Sequence, residues 1–298
     1  MLDKNNQEPQ SSNPLKHEQN SRGKRSMRAA LAGNKYVTAF TLGMQSSMEY
    51  RLQFFIGLFN LVFPVGLQCL IWTAVYASQD HQSLYGYDYG QMILYTVLAG
   101  IVAKLVMTHL EHTIAEDIKS GGLNTYLVRP VSYFGYRLSA YMGSRVVSDT
   151  ILIIVMSVVI GIAMAFHIGE MSLNRVAVAI ITLVLASAVQ FLLTYTVCAL
   201  AFTLQEISYF FVITTLIVQI LSGGMVPLEV FGEAANQWFN LLPFKYTIYF
   251  PVNVLNGRLA MNEAFQGMLI QLVWFVLLIG ASRMAWKLGL KRYVGIGG

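Results

Sequence analysis

The sequence predicts an all-α integral membrane protein, and three observations support this fold class. Of the 298 residues, 55% are hydrophobic and only 12% are charged. The apolar residues form runs long enough to cross a hydrocarbon core of about 30 Å. A polar segment with a helical apolar pattern lies between the second and third runs. The formal net charge is +5, but the basic residues concentrate beside apolar runs, which indicates membrane topology and not nucleic-acid binding.

The apolar runs predict six transmembrane helices. They cover residues 52–77, 91–108, 146–166, 175–202, 207–221 and 264–285. The fifth is short for a core of about 30 Å. Lys104 lies near the inner end of the second run, where its ammonium can extend to the surface, and this role is favoured over a buried functional lysine.

Residues 1–33 form a polar tail that we expect to be cytoplasmic and disordered, because Asn, Gln, Ser and charged residues dominate it. Its basic residues indicate a cytoplasmic retention signal that touches anionic lipid, in preference to a nucleic-acid patch. These basic residues are Arg22, Lys24, Arg25 and Arg28.

Residues 34–51 carry apolar side chains at steps of three and four, including Val37, Phe40 and Met44. This spacing predicts an amphipathic helix in the membrane surface before the first span. The alternative is an inward extension of the first span. Residues 34–298 would then form one transmembrane domain.

The polar segment 113–130 predicts a short helix outside the membrane. Ile114 and Ile118 are four residues apart and therefore share one face. Charged residues occupy the other sides, and Gly121 ends the helix. These charged residues are Glu116, Asp117 and Lys119. Such a helix suits docking into a groove on a partner, whereas a plain connecting loop with one helical turn is the simpler alternative.

Residues 225–263 are neither a clean span nor a clean polar loop. Pro227, Pro243 and Pro251 divide the segment, and aromatic residues such as Tyr246 are frequent in it. We expect short helices that dip into the outer leaflet with their aromatic rings at headgroup depth.

The distribution of basic residues predicts the orientation. Nearly all Lys and Arg lie in the N-terminal segment, in residues 113–145 and in the C-terminal tail, while the opposite loops hold only Arg175, Lys245 and Arg258. The positive-inside rule therefore places both termini and the 113–130 segment in the cytoplasm.

Several kinds of chemistry are disfavoured. No G-x-x-x-x-G-K-[ST] motif occurs, so the chain has no phosphate-binding loop of that type and should not hydrolyse ATP itself. Cys69 and Cys198 lie in apolar runs and do not suggest a disulfide or metal site. His109 and His112 have one nearby carboxylate, which disfavours a metal site. The central parts of the spans lack Asp and Glu, which disfavours a proton or sodium antiporter.

Neutral polar residues in the fourth and fifth runs are candidates for lining the pathway of an amphipathic substrate. The alternative, hydrogen bonding between helices that holds the bundle together, is at least as well supported. The residues are Gln190, Thr194, Tyr195, Thr214, Thr215 and Gln219.

Three motifs, in this order between these spans, resemble the permease subunits of ABC-2 type ABC transporters, which have the type V exporter fold. They are IAEDIKSGGLNTYLVRP at 114–130, SGGMVPLEVF at 222–231 and LPFKYTIYFPVNVLNG at 242–257. The resemblance extends from about Tyr36 to the C-terminus.

The resemblance implies a site for each segment. Residues 111–121 would be the coupling helix that docks into a separate ATP-binding subunit, and residues 34–51 the connecting helix that also touches it. Residues 226–256 would be external re-entrant helices, including Pro227, Pro243, Tyr246 and Pro251. Two permease chains, identical or related, and two ATPase chains would form the exporter in the bacterial plasma membrane. ATP and Mg would be bound by the partner, with no cofactor in this chain.

Two other functions are compatible with the sequence: an ATP-independent channel or carrier, and a membrane scaffold or immunity protein. An ATPase that co-purifies with the chain would separate the first function from these two. Drugs, peptides and lipid-like molecules are all candidate substrates, and small amphipathic compounds or peptides are favoured because the predicted lining lacks charge. We expect Ile118 to be exposed, so that Ile118→Asp would uncouple the ATPase without unfolding the bundle.

Overall fold

The computed structural model describes residues 35–49, 51–78, 83–128, 132–169, 172–204 and 206–293, and these are helical with short connections. The α-helices are α1 (Lys35–Glu49), α2 (Arg51–Ser78), α3 (Tyr89–Val106), α4 (Glu111–Lys119), α5 (Asn124–Leu127), α6 (Tyr133–Ala165), α7 (Leu173–Cys198), α8 (Ser208–Leu221), α9 (Gly232–Asn240), α10 (Tyr249–Asn256) and α11 (Met261–Leu290). Short 3-10 helices cover Ala199–Phe202, Leu228–Phe231 and Phe244–Tyr246.

Five helical stretches are long and apolar enough to cross a membrane, judged by length and composition. They are Phe59–Ser78, Tyr89–Lys119, Tyr133–Ala165, Leu173–Phe202 and Met261–Leu290. The second stretch includes both α3 and α4. The predicted fifth span corresponds to α8, which has only 14 residues and is therefore about 21 Å long at 1.5 Å per residue. The predicted disordered tail, residues 1–33, lies outside the described residues.

The long helices run alternately between two ends of a bundle. We call these the α4 end and the α10 end, after the short helix found at each. At the α10 end, Tyr95 near the start of α3 donates its hydroxyl to the carbonyl of Gly223, which follows α8, at 2.7 Å. At the α4 end, the ring of His112 meets that of Phe211 near the start of α8, with 5.7 Å between centroids. Short as it is, α8 therefore connects the two ends.

Helix α1 packs closely along the first half of α6, through small residues on both helices. A Cβ added at Gly143 of α6 would lie 2.0 Å from the carbonyl oxygen of Phe40, and one added at Gly43 would lie 2.2 Å from that of Ala140. Val37, on the predicted apolar face, is exposed on the protein surface, whereas Ala39 is buried. The contact is made by small residues because they allow two helix backbones to approach closely.

Helix α10 is buried over its whole length. It packs against α3 and α7. Its Phe250 ring lies over Gly267 of α11, where an added Cβ would come within 2.1 Å of Cε2. The side-chain amide of Gln271 on α11 donates to the carbonyls of Thr182 and Tyr246, at 3.1 and 2.8 Å. These bonds join α11, α7 and the segment that precedes α10.

Candidate functional site

The apolar face of α4 is turned into its own chain. Ile114 and Ile118 are 0% and 5% exposed, and they pack with Phe211, Tyr195 and Trp286. The expectation that Ile118 would lie on an exposed helix face is therefore wrong. The helical period correctly placed the two isoleucines on one face, but it could not show what covers that face, since the contacts come from residues far along the chain.

A charged cluster fixes the other side of α4 to the start of α6. Arg137 pairs with the carboxylate of Asp117, which also accepts a hydrogen bond from the hydroxyl of Tyr133. The Arg137 guanidinium lies over the ring of Tyr136, 5.9 Å from its centroid. Asp117 was a predicted docking residue, but its carboxylate is occupied within the chain.

Aromatic residues attach α4 and α6 to α7 and α11. The ring of Trp286 on α11 stacks on that of Tyr195 at 4.4 Å and also contacts the ring of Tyr133. Trp286 Nε1 donates to the Tyr195 carbonyl at 2.9 Å. A movement of α4 would therefore act directly on three long helices.

The exposed part of the α4–α5 segment is the surface left for a partner. It consists of His112, Thr113, Glu116, Ser120, Thr125, Leu127 and Val128, and we call the part formed by Glu116, Ser120, Leu127 and Val128 the end surface. Leu127 and Val128 are 53% and 83% exposed. Lys119 and Gly121, both predicted docking residues, are partly buried beside this surface.

A cavity opens between α7, α8 and the connection from α3 to α4. It contains four of the six predicted pathway residues, Gln190, Thr194, Thr214 and Thr215. The other described residues of its lining are Met107, Thr108, Glu111, Leu193, Val197, Phe211, Val218 and Phe244. Glu111 was not predicted to line a pathway; the sequence placed it only beside His109 and His112 and at the start of the 111–121 segment.

Both interpretations of the polar span residues find support in this cavity. Thr108 donates to Thr194 Oγ1 at 2.6 Å, which is a hydrogen bond between the α3–α4 connection and α7. Gln190 is 5% exposed, and its Oε1 has no hydrogen-bond partner among the described residues. Tyr195 and Gln219 lie outside this cavity: Tyr195 packs on Trp286, and the main-chain carbonyl of Gln219 accepts from Gly224 at 3.1 Å.

At the α10 end, a second polar cluster surrounds Glu229. Its Oε1 accepts from the hydroxyl of Tyr249 at 2.6 Å and lies 3.5 Å from Arg258 Nη2. The Arg258 guanidinium lies over the ring of Tyr87, 3.5 Å from its centroid, and donates to the Gly86 carbonyl at 2.8 Å. Burial, reinforced by the nearby Glu229 carboxylate, raises the pKa of Tyr87 and of Tyr249 well above the ordinary tyrosine value. Both hydroxyls thus remain protonated donors.

The predicted re-entrant residues occupy the connections of this region. Pro227 and Pro243 directly precede the two 3-10 helices Leu228–Phe231 and Phe244–Tyr246. Pro251 lies in the first turn of α10, where backbone N–H groups have no acceptor within the helix, so the N–H that proline lacks is not needed. The hydroxyl of Tyr246 donates to the Asn240 carbonyl at 3.2 Å.

Arg145 and Asp149, four residues apart on α6, form an ion pair with Nη2 and Oδ1 2.8 Å apart. Arg145 also has a role that the sequence did not suggest. Its guanidinium donates to the carbonyls of Leu105 and Met107, both at 3.2 Å, and to that of Lys104. It therefore satisfies carbonyls at the C-terminal end of α3, where the helix leaves them without partners and partly negative.

Comparison with known protein families identifies a match. A family model described as ABC-2 family transporter protein matches residues 62–297. No curated protein and no solved structure matches the chain significantly.

Proposed function

Since the chain belongs to the ABC-2 family of transporter proteins, we propose that it is the membrane permease subunit of an ATP-driven ABC exporter. Membrane components of this family are generally not catalytic themselves. ATP and Mg would be bound, and ATP hydrolysed, by a separate ATP-binding subunit. The substrate would be an amphipathic molecule leaving the cytoplasm of a bacterial cell.

The observation that carries this proposal is the position of α4. A nine-residue helix lies at one end of the bundle and is held by Arg137, Tyr133 and the aromatic residues on α7 and α11. The neighbouring end surface keeps two exposed aliphatic side chains, and exposed apolar groups of this kind favour a protein partner. Force applied there would be transmitted to long helices, which suits a coupling helix driven by closure of an ATPase pair.

The topology follows from the same assignment. With α8 counted as a crossing, α2, α3, α6, α7, α8 and α11 make six passes and bring both termini to the α4 end. The positive-inside rule places that end in the cytoplasm. Residues 226–256 would then form the external cap, with α10 as a re-entrant helix and α1 as the connecting helix.

A second permease chain, identical or related, would complete the pathway. Supporting this, α8 is bare on most of its surface, with Tyr209, Val212, Ile213 and Leu216 at least half exposed. The cavity beside α8 contains residues expected to line the path. Lipid would cover the apolar surface that the second chain leaves free.

The test is a gentle detergent extraction of the tagged chain from its native membrane, with identification of the bound proteins. We expect a stoichiometric ATPase that carries a phosphate-binding loop, and either one permease species or two. Recovery of the chain without an ATPase would contradict the proposal and favour a channel or a scaffold.

A further inference from the structure

The cavity between α7 and α8 has an asymmetric chemistry. Most of its wall is apolar, formed by side chains such as Leu193, Phe211 and Phe244. Glu111 is the one charged residue among the described residues that line it. A ligand that fits this wall needs an apolar body, and any charge that it brings into contact with the cavity meets a carboxylate.

One buried polar group of the cavity, the side-chain oxygen of Gln190, is an unused acceptor among the described residues. The hydroxyls of Thr108 and Thr194 bond each other, and Thr214 donates to the carbonyl of Phe210 in its own helix. Gln190 Oε1 is buried and accepts no hydrogen bond from the described residues. A buried acceptor without a donor is unfavourable, so this oxygen would gain from a ligand that supplies an N–H.

From these features we propose that the cavity binds amphipathic organic cations, with an ammonium or similar N–H group between Glu111 and Gln190 and the apolar body against Phe211 and Leu193. This inference rests on the proposed export function and narrows its substrate class. It also replaces the expectation, drawn from the sequence, that the lining carries no charge. That expectation missed Glu111 because this residue is the first of α4, outside the apolar runs, and reaches the cavity only through the packing of α3 against α7.

The experiment uses the full chain in lipid nanodiscs, alone and together with its ATPase, and fluorescence anisotropy at neutral pH. Three dansyl probes of equal length end in an ammonium (dansylcadaverine), a methyl group or a carboxylate. We expect the ammonium probe to bind at least about tenfold more tightly than the carboxylate probe, since hydrogen bonds to charged groups are the stronger ones. Equal affinity for all three probes would overturn the assignment.

Variants locate the selectivity. Glu111→Gln and Gln190→Leu should each weaken binding of the ammonium probe, and Glu111→Lys should shift the preference towards the carboxylate probe. The control is Glu233→Gln, the same loss of charge on the exposed side of α9, which should leave all three affinities unchanged. Selectivity that survives both Glu111→Gln and Gln190→Leu would place the cation site elsewhere and overturn the proposal.

The two proposals can fail separately. Probe binding to the chain alone does not depend on an ATPase, so cation selectivity without a co-purifying ATPase would contradict the transporter assignment only. A co-purifying ATPase with no charge selectivity at the cavity would contradict the cation site only.

Discussion

Arg137 joins two helices through a single carboxylate, and both members of the pair are largely buried, with side chains 14% and 18% exposed. A buried ion pair contributes less to folding stability than the Coulomb attraction between its charges suggests, because both charges have lost their hydration. Removing one partner is a different matter, since the remaining charge is left without compensation in a poorly solvated place. Tyr133 can donate to Asp117 but cannot neutralise it.

We therefore expect Arg137→Met to destabilise the protein by about 3 kcal/mol and to lower the midpoint of thermal unfolding in detergent. The double variant Asp117→Asn with Arg137→Met should recover part of the loss, because no isolated charge remains. Glu116→Gln, which removes a charge from the exposed side of α4, is the control and should change the unfolding midpoint little. A midpoint unaffected by Arg137→Met would show that the pair does not hold α4 to α6.

At the α10 end, Arg258 joins separate segments of the chain, as Arg137 does at the α4 end. It lies over Tyr87, donates to Gly86 and faces Glu229, and these contacts connect the segment before α3 with the segment after α10. Lysine carries the same charge but lacks the planar fork that can serve a carbonyl, a ring and a carboxylate together.

We predict that Arg258→Lys loses most of the stability that Arg258→Met loses, about 2 kcal/mol, and that both variants increase protease cleavage of the connections around Glu229. The measurement combines thermal unfolding with limited proteolysis. Arg283→Met, at an exposed position of α11, should leave both unchanged. If Arg258→Lys were as stable as the unsubstituted protein, the positive charge alone, and not the planar guanidinium, would account for the stability that Arg258 contributes.

At the scale of elements, the contact of α1 with α6 depends on the absence of side chains. Gly143 faces the backbone of Phe40, which cannot rotate away as a side chain could, whereas Gly161 on the same helix has nothing within 4 Å of an added Cβ. These two glycines form a matched pair, because alanine improves helix propensity equally at both.

We expect Gly143→Ala to destabilise the protein by about 1–3 kcal/mol through forced separation of α1 from α6. Gly161→Ala should be neutral or stabilising by up to about 1 kcal/mol. Thermal unfolding of the two variants in the same detergent measures the difference. Equal midpoints would contradict the close packing of these two helices.

Local patterns predicted the helices well but not the surfaces that they use. The apolar runs located α2, α3, α7, α8 and α11 to within a few residues, because run length and helix ends are local properties. For α6 the prediction began at residue 146, whereas the helix begins at Tyr133. Its first three turns are polar and aromatic and therefore do not resemble a span.

The candidate site was only partly predictable, for a different reason. Gln190, Thr194 and Thr215 stood out as polar residues in apolar runs, and the cavity brings them together. Glu111 joins them from a segment about 80 residues earlier, and the burial of Ile118 depends on aromatic residues from α7 and α11. Neither could be derived from one sequence, because both arise from tertiary contacts that no local period encodes.

For the whole molecule, the arrangement around α4 assigns folding and partner association to different surfaces of the helix. The sequence suggested that the isoleucine face served association alone. The isoleucine face holds the bundle together, while the end surface remains free for a partner. A variant on the isoleucine face therefore tests folding, and a variant on the end surface tests association. This distinction changes the experiment that is appropriate for the proposed coupling helix.

We predict that Ile118→Asp will lower the unfolding midpoint strongly, by an amount equivalent to about 3 kcal/mol or more, because it places a carboxylate among Tyr195, Phe211 and Trp286. Val128→Asp should leave the midpoint within experimental error, since the side chain is 83% exposed, but should reduce recovery of the ATPase in the pull-down at least about tenfold if the docking contact is apolar. Val158→Asn, a polar replacement at an exposed position of α6, serves as a control for general disturbance of the bundle and should retain the ATPase. If Val128→Asp retains the ATPase as well, the partner does not use the end surface, and docking must be sought on α1.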